Sequence, residues 1–179
     1  YCRGFGVQSP SAYRFIRYVI NEHYPYYAYD ELRKDLPHLD PLTRKRMELY
    51  FRVSNFCQAS LWIDYCRRDD NIATYVQRAC QATRVMNYSD SKHIIFNSKI
   101  EVLRICPIDG CDTILDVALK YVDDCTLFII EDIGYNDTAK RLWQTLLESN
   151  LASVSYDLYY LGIAFFDRKR YKNNYIVNF

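Results

Sequence analysis

Residues 101–131 read EVLRICPIDGCDTILDVALKYVDDCTLFIIE, and this stretch decides the fold class. Glu101 to Ile108 is a short run rich in strand-forming residues, and Thr126 to Ile130 is a second. Between them Ile114, Val117, Ala118 and Tyr121 recur at helical spacing and form one apolar stripe. Strand, amphipathic helix, strand is a β-α-β unit, which implies parallel pairing because two parallel strands need a long crossover.

The same alternation extends in both directions. Upstream, Leu61 to Tyr65 and Arg84 to Tyr88 read as strands around a helix carrying Ile72, Tyr75, Val76 and Ala79. Downstream, a helix carries Ala139, Leu142, Trp143, Leu146 and Leu147. The chain then changes character. Val154 to Tyr160, Gly162 to Phe166 and Asn174 to Phe179 are β-rich, and the basic turn Asp167 to Asn173 suits a hairpin, so antiparallel pairing is expected at this end of the sheet. About a dozen residues separate the strand ending near Tyr88 from the one starting near Glu101, which is minimal for a crossover. Ile94, Ile95 and Phe96 leave room for a short strand at most, so the sheet is expected to be trimmed on that side.

Before residue 60 the pattern is helical. Ser9 before Pro10 fits an N-cap with proline at the first helical position, and Ala12, Phe15, Ile16, Val19 and Ile20 predict a helix over 10–22. An aromatic stretch from His23 to Asp30 and a polar one through Pro37 and Pro41 follow. A second helix is expected over 42–57 with Met47, Tyr50, Phe51 and Phe56 facing inward. The expected organisation is a helical extension, 1–59, packed on a Rossmann-like domain, 60–179. At 179 residues one compact domain overall is expected.

Composition narrows the function classes. Half the residues are apolar and a quarter charged, with five Gly and five Pro, which excludes disordered and collagen-like chains. The longest apolar run, Leu158 to Phe166, is nine residues, far short of the roughly 20 that cross a bilayer, and no signal-peptide pattern is read, so no membrane association is expected. Seven cysteines without a CxxC pair and only three histidines exclude a zinc site and point to free thiols in a reducing compartment, hence the cytoplasm. Residues 60–166 carry ten Lys and Arg against fifteen Asp and Glu, so no nucleic-acid groove is expected there. The eighteen tyrosines fit amphipathic rings at the edge of a small core, and the Tyr24 to Tyr29 cluster is the candidate partner surface, or else folds over the crevice mouth or packs on the first helix. GxSxG, HExxH and GxxxxGK motifs are all absent from the sequence.

The order of elements resembles the class I S-adenosylmethionine (SAM) dependent methyltransferase superfamily. Four stretches resemble a bacterial branch of it with a helical N-terminal extension: Gly6 to Pro10, Tyr26 to Glu31, the Ile108-Asp109-Gly110 turn with Ile129 to Ile133, and Asp157 to Phe166. The resemblance implies a mostly parallel sheet with antiparallel C-terminal strands. It implies an acid ending the first strand, here Asp64, and a glycine-rich turn against SAM, where this chain has Cys66 and Asp70 in place of glycines. The ribose-binding acid after the second strand falls on Ser89, with Asp90 beside it, and the adenine segment on the shortened region from Ser91 to Ile100. The turn after the next strand is Asp109-Gly110-Cys111-Asp112. Asp64, Cys66, Asp70, Ser89, Asp90 and Asp109 are therefore the cofactor-binding positions that the resemblance implies. A metal-dependent branch similar to catechol O-methyltransferase would use Asp109 and Asp132 for Mg²⁺; a third ligand is not apparent, since Ile133 follows Asp132, and no metal is expected. Two readings stand: a methyltransferase-like scaffold with weakened SAM binding, acting as a non-catalytic binding or regulatory module for a protein partner, or an active SAM-dependent methyltransferase with a divergent pocket and a small-molecule acceptor. A third, another small ligand in the same crevice, follows from the rule that α/β sheets bind ligands at their strand carboxyl ends.

Overall fold

A computed structural model describes residue 7, residues 9–68 and residues 71–179. The chain forms two compact units. One holds the described residues up to Ser60 together with those of Arg68–Val85; the other holds Leu61–Arg67 and Met86–Phe179.

The first unit is helical. Helix α1, Pro10–Phe15, starts at Ser9, whose hydroxyl accepts from Ala12 N at 3.4 Å, and continues as a π-helix over Ile16–Ile20. Helix α2, Tyr27–Asp35, spans the end of the aromatic stretch and the start of the polar one; its short stripe of Ala28, Tyr29 and Leu32 is buried. Helix α3, Pro41–Cys57, is capped by Asp40, whose carboxylate accepts from Leu42 N and Thr43 N. Met47, Tyr50 and Phe51 face inward, but Phe56 is 52% exposed. It stands in the last turn of the helix, where its ring meets Phe15 at 5.2 Å in an edge contact. Ser54 hydroxyl donates to the Val76 carbonyl of helix α4, Ile72–Ala79, at 2.9 Å. The aromatic stretch divides: Tyr26 and Tyr29 pack on Phe51, while Tyr24 and Tyr27 are exposed.

Arg52 organises this unit from inside. Buried on α3, it donates to the carbonyls of Val19 at 2.6 Å and Ile20 at 3.3 Å and to the Tyr29 hydroxyl at 3.2 Å. It thus supplies donors to carbonyls at the end of the first helix, where no further turn can do so. Burial pushes the Tyr29 hydroxyl up to about 12, with Arg52 opposing the shift.

The strands are β1 (Leu61–Tyr65), β2 (Arg84–Tyr88), β3 (Val102–Ile105), β4 (Leu127–Glu131), β5 (Val154–Asp157), β6 (Leu161–Phe165) and β7 (Asn173–Ile176). They form one sheet in the order β2-β1-β3-β4-β6-β5-β7. The pairs β1–β3 and β3–β4 are parallel, as the β-α-β reading requires. Strand β6 runs antiparallel to both β4 and β5, and β7 is parallel to β5. The fold is α/β with a mostly parallel seven-stranded sheet, compatible with a Rossmann-like arrangement.

One expectation is corrected. The stretch Asp167 to Asn173 does not close a hairpin: both edges of β6 are occupied, by β4 and β5, so β7 takes the free edge of β5. The hairpin is β5–β6, turned by residues 158–160 with Tyr159 at φ +66°. Ile94 to Phe96 form no strand; Ser91–His93 make a single 3₁₀ turn, and β2 remains the edge, the trimming that the short connection implied.

Alternation along the strands sorts the buried side chains by face. Ile63, Leu103, Ile105, Phe128, Ile130 and Ala164 join the core cluster that includes Ile114, Leu115, Leu142 and Trp143 of helices α5 (Cys111–Ala118) and α6 (Asp137–Glu148). A Cβ at Gly162 would meet the Trp143 ring at 2.6 Å, so a side chain is excluded there. Trp62, Asp64, Val102, Arg104, Ile129 and Glu131 alternate onto the opposite face.

Candidate functional site at the strand carboxyl ends

The parallel strands β1, β3 and β4 end together, and α/β sheets bind ligands at such ends. Asp64 sits one residue before the end of β1. Register places it opposite Arg104 of β3, and Glu131 follows two residues after Ile129, the β4 partner of Arg104. Arg104 Nη1 lies 3.2 Å from the Asp64 carboxylate and its Nε 2.8 Å from that of Glu131. All three are buried, so two carboxylates share one guanidinium inside the sheet. Asp64 is therefore engaged below the strand end. Neither Arg104 nor Glu131 was among the expected site residues, although a charged residue inside each of two apolar strands was the available signal.

Cys66 follows β1 and is buried, with its backbone N donating to the Tyr88 carbonyl of β2 at 3.0 Å. Asp70 lies outside the described residues. Between them, Arg67 reaches sideways: its Nε donates to the Ser89 carbonyl at 3.2 Å and its Nη1 stands 3.6 Å from the Asp109 carboxylate. Half-exposed, it spans the ends of β1, β2 and β3 and links two of the positions expected to bind the cofactor to each other. Ser89 itself is exposed. The Asp90 carboxylate accepts from Lys92 N at 2.9 Å, capping the 3₁₀ turn.

The β3–α5 turn is tightly packed. Tyr65, at the end of β1, donates its hydroxyl to the Asp109 carbonyl. Gly110 at φ +85° begins α5, and a Cβ there would fall 2.6 Å from the Ser91 hydroxyl and 2.9 Å from the Tyr65 hydroxyl. Glycine is needed here both for the left-handed backbone and for this close approach. Burial pushes the Tyr65 hydroxyl up, with the Ser91 hydrogen bond opposing it. Burial, aided by the Asp112 charge, pushes the Cys111 thiol up, the opposite of what an activated nucleophile needs. The six described cysteines are all free.

The two carboxylates considered for Mg²⁺ have different surroundings. Asp109 is 95% exposed at its side chain and beside Arg67, whereas Asp132 is buried and accepts the Tyr135 hydroxyl. Among the described residues no group of three or more His, Cys, Asp and Glu side chains could hold a metal ion. Among them too, no helix is long and apolar enough to cross a membrane.

Compared with protein-family models and with curated proteins, the chain matches none.

Proposed function

We propose that this chain is a methyltransferase-like protein with lost or much weakened SAM binding that acts as a non-catalytic binding or regulatory module. The observation that carries the reading is the engagement of Asp64. The family uses the acid ending the first strand beside its cofactor, and here that carboxylate is held by Arg104 in a buried ion cluster shared with Glu131. Arg67 adds to this by lying across the ends of the first three strands. The element order, helices then β-α units then antiparallel strands, supports the superfamily resemblance. Free thiols support a reducing compartment, and with it the cytoplasm. The ligand of such a module is a protein partner or a small molecule rather than nucleic acid.

Titration calorimetry with SAM and with S-adenosylhomocysteine tests this. The expected result is no saturable heat up to about 1 mM, an affinity weaker than about 4 kcal/mol. Micromolar binding by the unmodified chain overturns the proposal and establishes the alternative, an active SAM-dependent methyltransferase with a divergent pocket.

A further inference from the structure

We propose that Tyr135, Tyr159 and Tyr160, which rim the carboxyl end of β4, form a binding site for a methylated ammonium group. The site is built from two loops fastened together. In the loop after β4, Asp132 N donates to the Tyr160 carbonyl and Gly134 N to the Tyr159 carbonyl, both at 2.7 Å. Gly134 lies directly under the Tyr159 ring: a Cβ there would fall 2.5 Å from Tyr159 Cδ2 and from its carbonyl oxygen. Asp132 at φ +63° and Tyr159 at φ +66° both adopt the left-handed region that side-chain-bearing residues rarely occupy. Such conformations persist where surrounding structure enforces them, and they concentrate at functional sites.

What this strain holds in place is an inclined set of rings. Tyr159 and Tyr160 meet at 5.3 Å and 86°, Tyr135 and Tyr160 at 6.3 Å and 69°, and Tyr135 and Tyr159 at 6.2 Å and 45°. Tyr135 and Tyr159 are 54% and 55% exposed, so these rings are presented to solvent and do not fill the core. Tyr135 is steadied by donating its hydroxyl to Asp132. The Asp157 carboxylate accepts from Tyr159 N at 2.8 Å, so each loop brings a carboxylate to the rim.

The ligand class follows from the electrostatics. Aromatic faces are negative at their centres, and two carboxylates stand behind them, so an anion is disfavoured. A flat neutral ring would use one stacking face and gain nothing from planes set at steep angles. A compact cation is attracted to the exposed ring faces of Tyr135 and Tyr159 whatever their mutual tilt. Methylation spreads its charge over apolar surface, which suits contact with ring faces better than a bare ammonium that demands hydrogen-bond acceptors.

The experiment titrates the intact protein with tetramethylammonium chloride against sodium chloride at equal ionic strength, following tyrosine ring resonances by NMR. Tert-butanol serves as the neutral probe of similar shape. The expected result is saturable binding with shifts at the rim tyrosines and at least about tenfold weaker binding of tert-butanol. Tyr159→Phe keeps the affinity, and Tyr159→Gly, which suits the positive φ, loses about tenfold while melting like the parent protein. Choline and a trimethyllysine tripeptide, compared side by side, distinguish a free ligand from a modified protein segment. Absence of saturation, equal binding of tert-butanol, or unchanged affinity in folded Tyr159→Gly overturns the proposal. The ring shifts of the unmodified chain decide the matter even if that variant fails to fold.

Discussion

Replacing Arg104 by Met removes the guanidinium that two buried carboxylates share while nearly preserving side-chain length. At the observed separations of 3.2 Å to Asp64 and 2.8 Å to Glu131, and an effective dielectric of about 20, the two attractions amount to about 5 and about 6 kcal/mol. Desolvation of the ions offsets most of that sum, but the offset survives the mutation for both carboxylates, which stay buried without the Arg104 guanidinium. The expected loss of folding stability is about 3 to 5 kcal/mol at neutral pH, the range found when one member of a buried ion pair is deleted. The assay is equilibrium unfolding in urea followed by far-ultraviolet circular dichroism. A loss below about 1 kcal/mol refutes the buried cluster.

Two further outcomes are expected in the helical unit. Arg52→Met leaves the Val19 and Ile20 carbonyls without the donors they have now and costs about 2 to 3 kcal/mol in the same unfolding assay, with Arg52→Lys recovering only part of it. Tyr29, raised from 10.0 to about 12 chiefly by burial, favours the protonated form in the fold, so its contribution is intact below pH 10 and is lost as pH climbs from 10 through about 12. Tyr29→Phe should flatten that alkaline decline; a decline as steep as the parent's would assign it to other groups.

Periodicity made the helices and most strands legible because it reports a residue's face from local sequence alone. Ser9 and Pro10 marked the first helix, and the stripe from Ile72 to Ala79 marked α4. The failures have physical causes that local pattern does not carry. Helix α2 has only three buried apolar positions, too few to stand out among its charges. The partner of β7 depends on which strand edges are already occupied, a property of the whole sheet. The candidate site failed in the same way. Asp64 was legible as an acid at a strand end, but its engagement depends on register with Arg104, and Arg67 on how far a side chain reaches across three strand ends.

Under the proposed function, magnitudes decide which of these two features would weaken SAM binding more. The Arg67–Asp109 pair is 3.6 Å apart and exposed at both side chains, so it contributes about 0 to 1 kcal/mol. A ligand binding at micromolar concentration, about 8 kcal/mol, would displace it with little loss. Withdrawing Asp64 from Arg104 is of another order: at about 3 to 5 kcal/mol it lowers affinity by about two to three and a half orders of magnitude. Arg67→Ala alone is therefore expected to change SAM affinity by less than about tenfold. If that single substitution restored micromolar binding, the arginine across the strand ends would be the barrier, and the buried cluster would be a feature of stability alone.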